Sequence, residues 1–509
     1  MKKIFFSIIA AIAISTTYAQ TLNDALLFSQ DNLGGTARFR SMSGAFGALG
    51  GDFSATSINP AGGAVFAHSE AAGTLGNSNK VNDVNYFNSL RETNDNTFDL
   101  GQAGAIFVFK STDNNPWRKL TIGFNFQNTN DFNNQLFAAS NNATTGIDQY
   151  FNQLAQGTPL DLLNLRDNES LDQLYQFLGE NETEAAQKAL LAFQGFLIDP
   201  VDDNDPDNTA YNSAAIYNTL DQQYTEATSG YNRKFNFNFA TQYKDNLYLG
   251  LNLNSHVLDY EKTRRISDIG FDETSTVKEV LYEDTVFTSG TGFSLQVGAI
   301  AKVGPSLRLG ASYQSPTWYR LQDETREALT VFRTDPNNAN GEIQENLRPR
   351  VINLFEEYRL NTPAKVTGSV AYVFDKYGLL SFDYGYTDFS SASLRPTSDP
   401  AFNVENNNIE SQLQAVNSYR IGGEIRLEEW SLRGGYHFED SPFKDENVAS
   451  EKTGFSAGLG YRFGGTRIDV SYDRTQQEFG QALYPIGLTS VANIDNTINN
   501  VNVTVTFKL

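Results

Sequence analysis

The chain contains no cysteine, which excludes disulfide frameworks, thiolate zinc sites and cysteine nucleophiles at once. Three histidines in 509 residues, His68, His256 and His437, leave little from which to build a metal centre. Positive charge is scarce: 38 lysines and arginines stand against 60 aspartates and glutamates, a net of −22, which argues against nucleic acid as a partner. Beyond the N-terminus no stretch approaches the length of a membrane-spanning helix, and mean hydropathy is −0.41, so no helical membrane bundle is encoded. What is abundant is aromatic: 37 Phe and 24 Tyr, against 3 Trp. High aromatic content at low mean hydropathy is the balance of a membrane β-barrel, whose strands alternate lipid-facing and lumen-facing residues.

Residues 1–19 read as a secretory leader. Lys2 and Lys3 are its charged start, Ile4 to Ile14 its apolar stretch, and Thr17-Tyr18-Ala19 its small-residue cleavage site, which predicts a mature chain from Gln20. The apolar stretch is too short to span a bilayer, and no cysteine follows for lipid attachment. Loss of Lys2 and Lys3 takes the charge to −24. The expected location is the cell outer membrane, reached by export.

From residue 98 the chain repeats alternating segments of about ten residues. Leu120, Ile122, Phe124 and Phe126 alternate with Thr121, Gly123, Asn125 and Gln127; Leu247, Leu249, Leu251 and Leu253 alternate with Tyr248, Gly250, Asn252 and Asn254. Fourteen segments are predicted, near 68–79, 98–111, 117–129, 231–244, 246–263, 286–303, 306–321, 361–375, 378–392, 415–427, 429–440, 451–463, 466–477 and 497–508. Tight turns at 244–246, 303–306, 375–378, 427–429 and 463–466 take turns with long polar loops at 80–97, 130–230, 264–285, 322–360, 393–414, 441–450 and 478–496. A soluble sandwich has no reason to sort its loops by parity. Short periplasmic turns, long external loops and an even strand count belong to an outer-membrane barrel. The fold class is therefore all-β: a 14-stranded antiparallel outer-membrane β-barrel over 68–509, with an N-terminal hatch at 20–67 and a helical external loop at 130–230. Tyr243, Tyr260, Tyr313, Tyr319, Tyr372, Tyr377, Tyr386, Tyr436, Tyr461 and Tyr472 fit its interfacial aromatic girdles.

Residues 34–63 do not alternate and are rich in small residues, which suits a plug in a confined lumen. The text Asp52-Phe53-Ser54-Ala55-Thr56-Ser57-Ile58-Asn59-Pro60-Ala61 resembles the hatch of the FadL family of outer-membrane transporters for hydrophobic compounds, of which Asn-Pro-Ala is the hallmark. Further similar stretches are Gly310-Ala311-Ser312-Tyr313-Gln314-Ser315, Tyr384 to Ser390 and Ala457 to Phe463, and the chain looks most like the longer Bacteroidetes members. The resemblance implies passive uptake of hydrophobic small molecules such as long-chain fatty acids, with lateral exit at an inward kink of the third strand. It implies that Asn59, Pro60 and Ala61 are gate residues at that kink. The third strand, 117–129, has no proline and one interior glycine, so the sequence itself does not display the kink. The last residues, Phe507-Lys508-Leu509, displace the usual terminal aromatic by two positions. Expected partners are a hydrophobic ligand, outer-membrane lipid and lipopolysaccharide, and the barrel-assembly machinery, with the chain a monomer.

The loop 130–230 reads as a helical cap. Leu171, Leu174, Tyr175 and Leu178 form one stripe; a second helix is expected to begin at Asn181, capped with Glu184, with a stripe through Ala186, Ala189, Leu190, Phe193 and Leu197. The stripes either form a greasy landing groove or pack on each other. Residues 131–229 hold 16 acidic and 2 basic residues, a net of −14, which argues against long-range steering of anions. Inward-phase charges on neighbouring late strands, Arg420, Glu424, Arg426, Arg433, His437, Glu439, Arg462 and Asp469, either neutralise one another or offer Arg420, Arg433, His437 and Arg462 to a ligand headgroup. Gly454-Phe455-Ser456-Ala457-Gly458 matches G-x-S-x-G but lies inside an alternating strand, so no enzyme, catalytic residue, cofactor or metal site is expected. The alternative functions are a non-transporting barrel, serving as scaffold or secretion accessory through its acidic cap, and a haemin receptor using the histidines.

Overall fold

The computed structural model describes residues 21–112 and 115–509; the predicted leader, 1–19, lies outside them. The alternating segments become fourteen antiparallel strands: β1 (Glu70–Tyr86), β2 (Ser89–Lys110), β3 (Trp117–Asp131, continued by Asn134–Ala143), β4 (Leu220–Tyr243), β5 (Leu247–Ile269), β6 (Val277–Val303) and β7 (Leu307–Gln314, continued by Trp318–Asp335). The return half holds β8 (Lys365–Phe374), preceded by short pieces from Asn338 to Asn361, then β9 (Gly378–Asp388), β10 (Ala415–Leu427), β11 (Trp430–Glu439), β12 (Lys452–Phe463), β13 (Thr466–Ala482) and β14 (Val491–Lys508). β14 pairs back onto β1 from Glu70↔Lys508 to Asn85↔Asn493, which closes the sheet. Lipid offers no hydrogen bonds, so closure is the condition for a sheet to span it.

The outward phase carries the lipid-facing belt: Phe107 and Phe109 on β2, Leu120 and Ile122 on β3, Phe237 and Phe239 on β4, Leu249 and Leu251 on β5, and Val501 and Val503 on β14 are all exposed. The inward phase is amide-rich, with Asn125, Asn236, Asn238, Asn252, Asn254 and Gln296 buried. At the short turns Lys244, Asp375, Glu428 and Gly464 adopt positive φ, the left-handed step that lets adjacent strands reverse tightly.

Several strands continue beyond the belt, and the reading of 80–97 as a loop is corrected here. β1 and β2 form one hairpin whose turn residues Phe87 and Asn88 both have positive φ, 46° and 59°. Above the membrane neither strand face meets lipid, so the apolar alternation that marks a strand disappears. The same reason hides the outer ends of β5, β6, β13 and β14. The girdle also needs correction: Tyr260 and Tyr319 are buried inside the barrel, whereas Tyr313, Tyr372, Tyr377, Tyr386, Tyr436, Tyr461 and Tyr472 face outward and are exposed.

Two apolar cores occupy the outer end. One includes helix α1 (Leu22–Ser29), N-capped by Thr21, whose Leu22, Leu26 and Phe28 pack with Phe132, Tyr260, Tyr319 and Phe402. The other holds the cap helices α2 (Ile147–Ala155), α3 (Leu171–Asn181) and α4 (Glu184–Gln194). Their stripes pack together and onto Tyr282, Val331 and Tyr484, so the apolar faces are a core and not an open groove. α4 is capped by Thr183, whose hydroxyl accepts from the Ala186 N–H, and not from Asn181, whose side-chain amide instead donates to Phe177 O at the end of α3. Lys188 of α4 reaches Glu184 and, at 2.6 Å, Glu327 of the wall, tying cap to barrel. Burial pushes the Asp148 carboxyl of α2 up, against the hydrogen bonds it accepts from Ser213 and Tyr217. A fifth helix, α5 (Pro400–Gln412), lies beside α1, and its Glu405 accepts from the Leu22 N–H at 3.2 Å.

Candidate functional site

Residues 30–66 run through the lumen from the outer cores to the periplasmic end, and their backbone lies against strand glycines. Built on Gly250, a Cβ would stand 2.2 Å from Pro60 C; on Gly298, 2.1 Å from Asn59 Oδ1; on Gly310, 2.4 Å from Gly47 O. Gly422, Gly435 and Gly458 do the same for Met42 and Ser41. Gly250 pairs with Gly298, and Gly422 with Gly435, so the plug backbone is seated in two windows where the wall carries no side chains. Amides finish the seat: Asn238 donates to Pro60 O at 2.9 Å, Asn252 to Thr56 O at 2.8 Å, and Gln296 to Ser57 O and Ile58 O. Ser456, the residue inside the G-x-S-x-G match, is 2.8 Å from the Ser43 hydroxyl and accepts from the Ser43 N–H, so it too holds the plug.

Asn59 accepts from the Ala61 N–H at 3.1 Å and donates to Gly47 O at 2.8 Å and to wall carbonyl Ala299 O at 3.0 Å. Pro60 and Ala61 sit beside it against β4, β5 and β6. Asn59→Ala is expected to loosen the plug by roughly 1–3 kcal/mol, the cost of buried carbonyls left unpaired. Raised ion conductance of the purified barrel is the measurement, and unchanged conductance would count against this seat.

The wall itself parts between β2 and β3. Their ladder runs from Lys110↔Lys119 to Gln102↔Gln127 and ends there, while β2 remains paired to β1 up to the hairpin and β3 remains paired to β4. No proline is involved: the register with β4 slips between Asn128 and Asn130, and the strand breaks at Phe132-Asn133. The plug residues touching this break are Asn32, donating to Thr129 O at 3.0 Å and to Asn130 Oδ1 at 2.7 Å, and Gly34, whose added Cβ would meet Asn128 O. Asn59, Pro60 and Ala61 are thus placed along β4–β6, and the break is met by a different part of the plug.

Two cavities flank Gln30–Gly34. One, of about 230 Å³, runs from Asp99, Gly101 and Asn128 at the parted wall to Arg420 and His437. The other, of about 130 Å³, is lined by Lys234, Lys365 and, again, Arg420. Lys365 is paired to Asp31 at 2.6 Å. Arg420 makes no ion pair or hydrogen bond among the described residues and is the cation both cavities share. His437 lies opposite it across β10–β11, with Nε2 3.3 Å from Thr475 and Nδ1 without a partner.

The remaining candidates go elsewhere. Arg433 is buried between Glu424 and Asp469, at 2.7 Å from each, in a network that also holds plug Arg38, Arg426 and Arg467. Arg462 is exposed at the periplasmic end of β12. The three histidines are not brought together: His68 is exposed beside β1, and buried His256 has both ring nitrogens within 3.3 Å of Ser294 and Tyr319. Sequence reasoning missed the glycine windows and Asn32. The signal for the windows was present, in glycines at the inward phase of neighbouring strands.

A closed fourteen-stranded barrel with an outward apolar belt and a plugged lumen is an outer-membrane channel. The family model for outer membrane transport proteins of the OMPP1/FadL/TodX type matches residues 201–483, and the chain belongs to this family. Among solved structures, the chain is similar to a FadL homologue of Pseudomonas aeruginosa, at 12% identity over 94% of this chain and 99% of that one, with a TM-score of 0.51. The toluene transporter TodX of Pseudomonas putida matches at 11% identity over 94% of this chain and 100% of that one, with a TM-score of 0.48. A search of curated proteins returns no match.

Proposed function

We propose that this barrel takes up hydrophobic small molecules passively, long-chain fatty acids or similar amphiphiles, and releases them sideways between β2 and β3. The observation that carries the reading is the ladder that stops at Gln102↔Gln127 beside a cavity reaching the same break. Exposed Phe98 and Leu100 stand on the β2 side of the gap and would pass an apolar tail to the lipid. Arg420, which faces Asp383 across the β9–β10 ladder without closing an ion pair, has donors left for an anionic headgroup in transit. The acidic cap repels such a headgroup at long range, so capture depends on short-range apolar contact.

The test exploits the absence of cysteine. If β2 and β3 were zipped on past the bulge that β2 carries at Gly101, Leu100 would face Asn128. Leu100→Cys with Asn128→Cys, once oxidised, is expected to abolish labelled oleate uptake by expressing cells, and reduction to restore it. Mass spectrometry of lipids extracted from the purified protein is expected to find a stoichiometric amphiphile, depleted in Arg420→Gln. Uptake that survives the disulfide sinks lateral release. A lumen that retains nothing after soaking in oleate sinks transport and leaves the scaffold reading.

A further inference from the structure

Where β2 and β3 separate, the edge of β3 that would have faced β2 is left with a row of carbonyls. The Phe132 N–H donates to Gly230 O of β4, so the residues alternating with Phe132 turn their backbone groups the other way. These are the groups the parted ladder leaves free, and an unpaired carbonyl at this depth is costly.

Each has found a substitute donor. Thr129 O accepts from the Asn32 N–H of the plug at 3.0 Å. Asp131 O and Asn133 O both accept from Lys80 Nζ, each at 2.6 Å. Gln135 O accepts from Asn82 Nδ2 at 2.9 Å and from the Thr93 hydroxyl. Lys80 and Asn82 belong to β1, two strands away, and point inward from it. They reach β3 because β3 has bent into the lumen behind β2. Lys80 is buried, its side chain 10% exposed, and its acidic neighbours are the Asp131 carboxylate at 3.9 Å and Asp95, its pair across the β1–β2 ladder.

One side chain therefore satisfies two consecutive carbonyls of the row, and both flank the break at Phe132-Asn133. A single ammonium can do this because its three donors diverge, whereas ladder N–H groups come one per carbonyl. Without Lys80 the nearest comparable donors are the β2 residues 89–101, which have no strand partner on the side facing β3. Pairing with them would straighten β3 and close the wall.

We propose that Lys80 is the positioning residue that keeps the lateral gap open, standing in for the lost β2–β3 ladder and tying the inward-bent β3 to β1. This rests on the lateral-release reading for its functional meaning, but the state of the gap is measured independently of transport. Leu100→Cys with Asn128→Cys reports zipping directly, by the rate of disulfide formation in purified protein without cargo.

In the Lys80 parent, cross-linking is expected to be slow. In Lys80→Met, which keeps the length and removes the donors, it is expected to be about tenfold faster or more, the scale set by lost hydrogen bonds to a charged group. Lys80→Arg, which restores diverging donors, is expected to return the slow rate, which a mere loss of packing would not. Should Lys80→Met fail to give a folded, heat-modifiable barrel, Lys80→Gln is read in the same way, with a rate between parent and Met. A donor-less variant that cross-links no faster than the parent overturns the proposal, as does an Arg variant as fast as Met. If the pin behaves as expected while the oxidised pair still takes up oleate, lateral release falls and the role of Lys80 in the wall stands.

Discussion

Gly250→Leu is expected to unseat the plug and turn a closed barrel into a conducting one. The Cβ alone would lie 2.2 Å from Pro60 C and 2.3 Å from Ala61 N, and backbone cannot fold away as a flexible side chain can. Gly298 across the ladder is filled by Asn59 and Pro60, so the leucine has no adjoining space to enter. Overpacking of one or two methylenes costs ~1–3 kcal/mol in a core that can adjust. Four carbons against fixed backbone exceed that, and displacing the plug is the cheaper response than opening a ladder whose every pair is retained. Single-channel conductance in planar bilayers reads the result, with sensitivity of expressing cells to large antibiotics as a second measure. Gly368→Leu is the control, since an added Cβ there meets nothing within 4 Å and conductance should stay at the parental level. Parental conductance in Gly250→Leu would refute the glycine seat.

The second large effect is on stability. Arg433 joins Glu424 and Asp469, both nearly inaccessible, and Glu424 in turn holds Arg38 of the plug at 3.0 Å. Removing one partner from a buried ionic network leaves charge without compensation, a cost of about 3–5 kcal/mol. Arg433→Met is therefore expected to lower the unfolding midpoint in urea sharply. Arg426 and Arg467 remain on the two carboxylates and keep the cost near the lower end. Arg433→Met combined with Asp469→Asn should lose more than Arg433→Met alone, because the second change leaves Arg467 without its carboxylate. A midpoint unchanged in Arg433→Met would show that the network contributes nothing.

The barrel was legible because the membrane enforces it: Leu249 and Leu251 must face lipid and Gly250 and Asn252 must not, and that constraint writes a period of two into the chain. Legibility ended where the constraint ended. At 80–97 the outer face is wet and the inner face, with Lys80, Asn82, Val84 and Tyr86, is buried against protein and not set against lipid, so the hairpin read as loop. Tyr260 and Tyr319 sit just beyond the belt, where an inward tyrosine and a girdle tyrosine look alike. The helical stripes of the cap were visible, yet what they pack on, Tyr282 of β6 and Tyr484 of the β13–β14 loop, is distant in sequence. The kink left no mark because a register slip among Asn128, Asn130 and their neighbours needs neither proline nor glycine. Lys80 could not be found from sequence: its partners are main-chain carbonyls, which every residue carries. Arg433 and Arg420 are indistinguishable by phase, and only the positions of Glu424 and Asp469 decide which arginine is locked between two carboxylates.

The plug lies before β1 in the chain, spans the lumen from α1 at the outer end to Phe66 at the inner end, and is enclosed by the seam between β1 and β14. A segment packed backbone-close on those glycine seats has no room to be drawn into place along a lumen already closed around it. The order of folding is therefore written into the topology. Residues 21–66 must be in place within a still-open sheet, and the pairing of the first strand with the last is the step that locks them in. The chain's earliest-made residues thus wait for its final ones, and truncation near residue 491 would release the plug as well as the last strand.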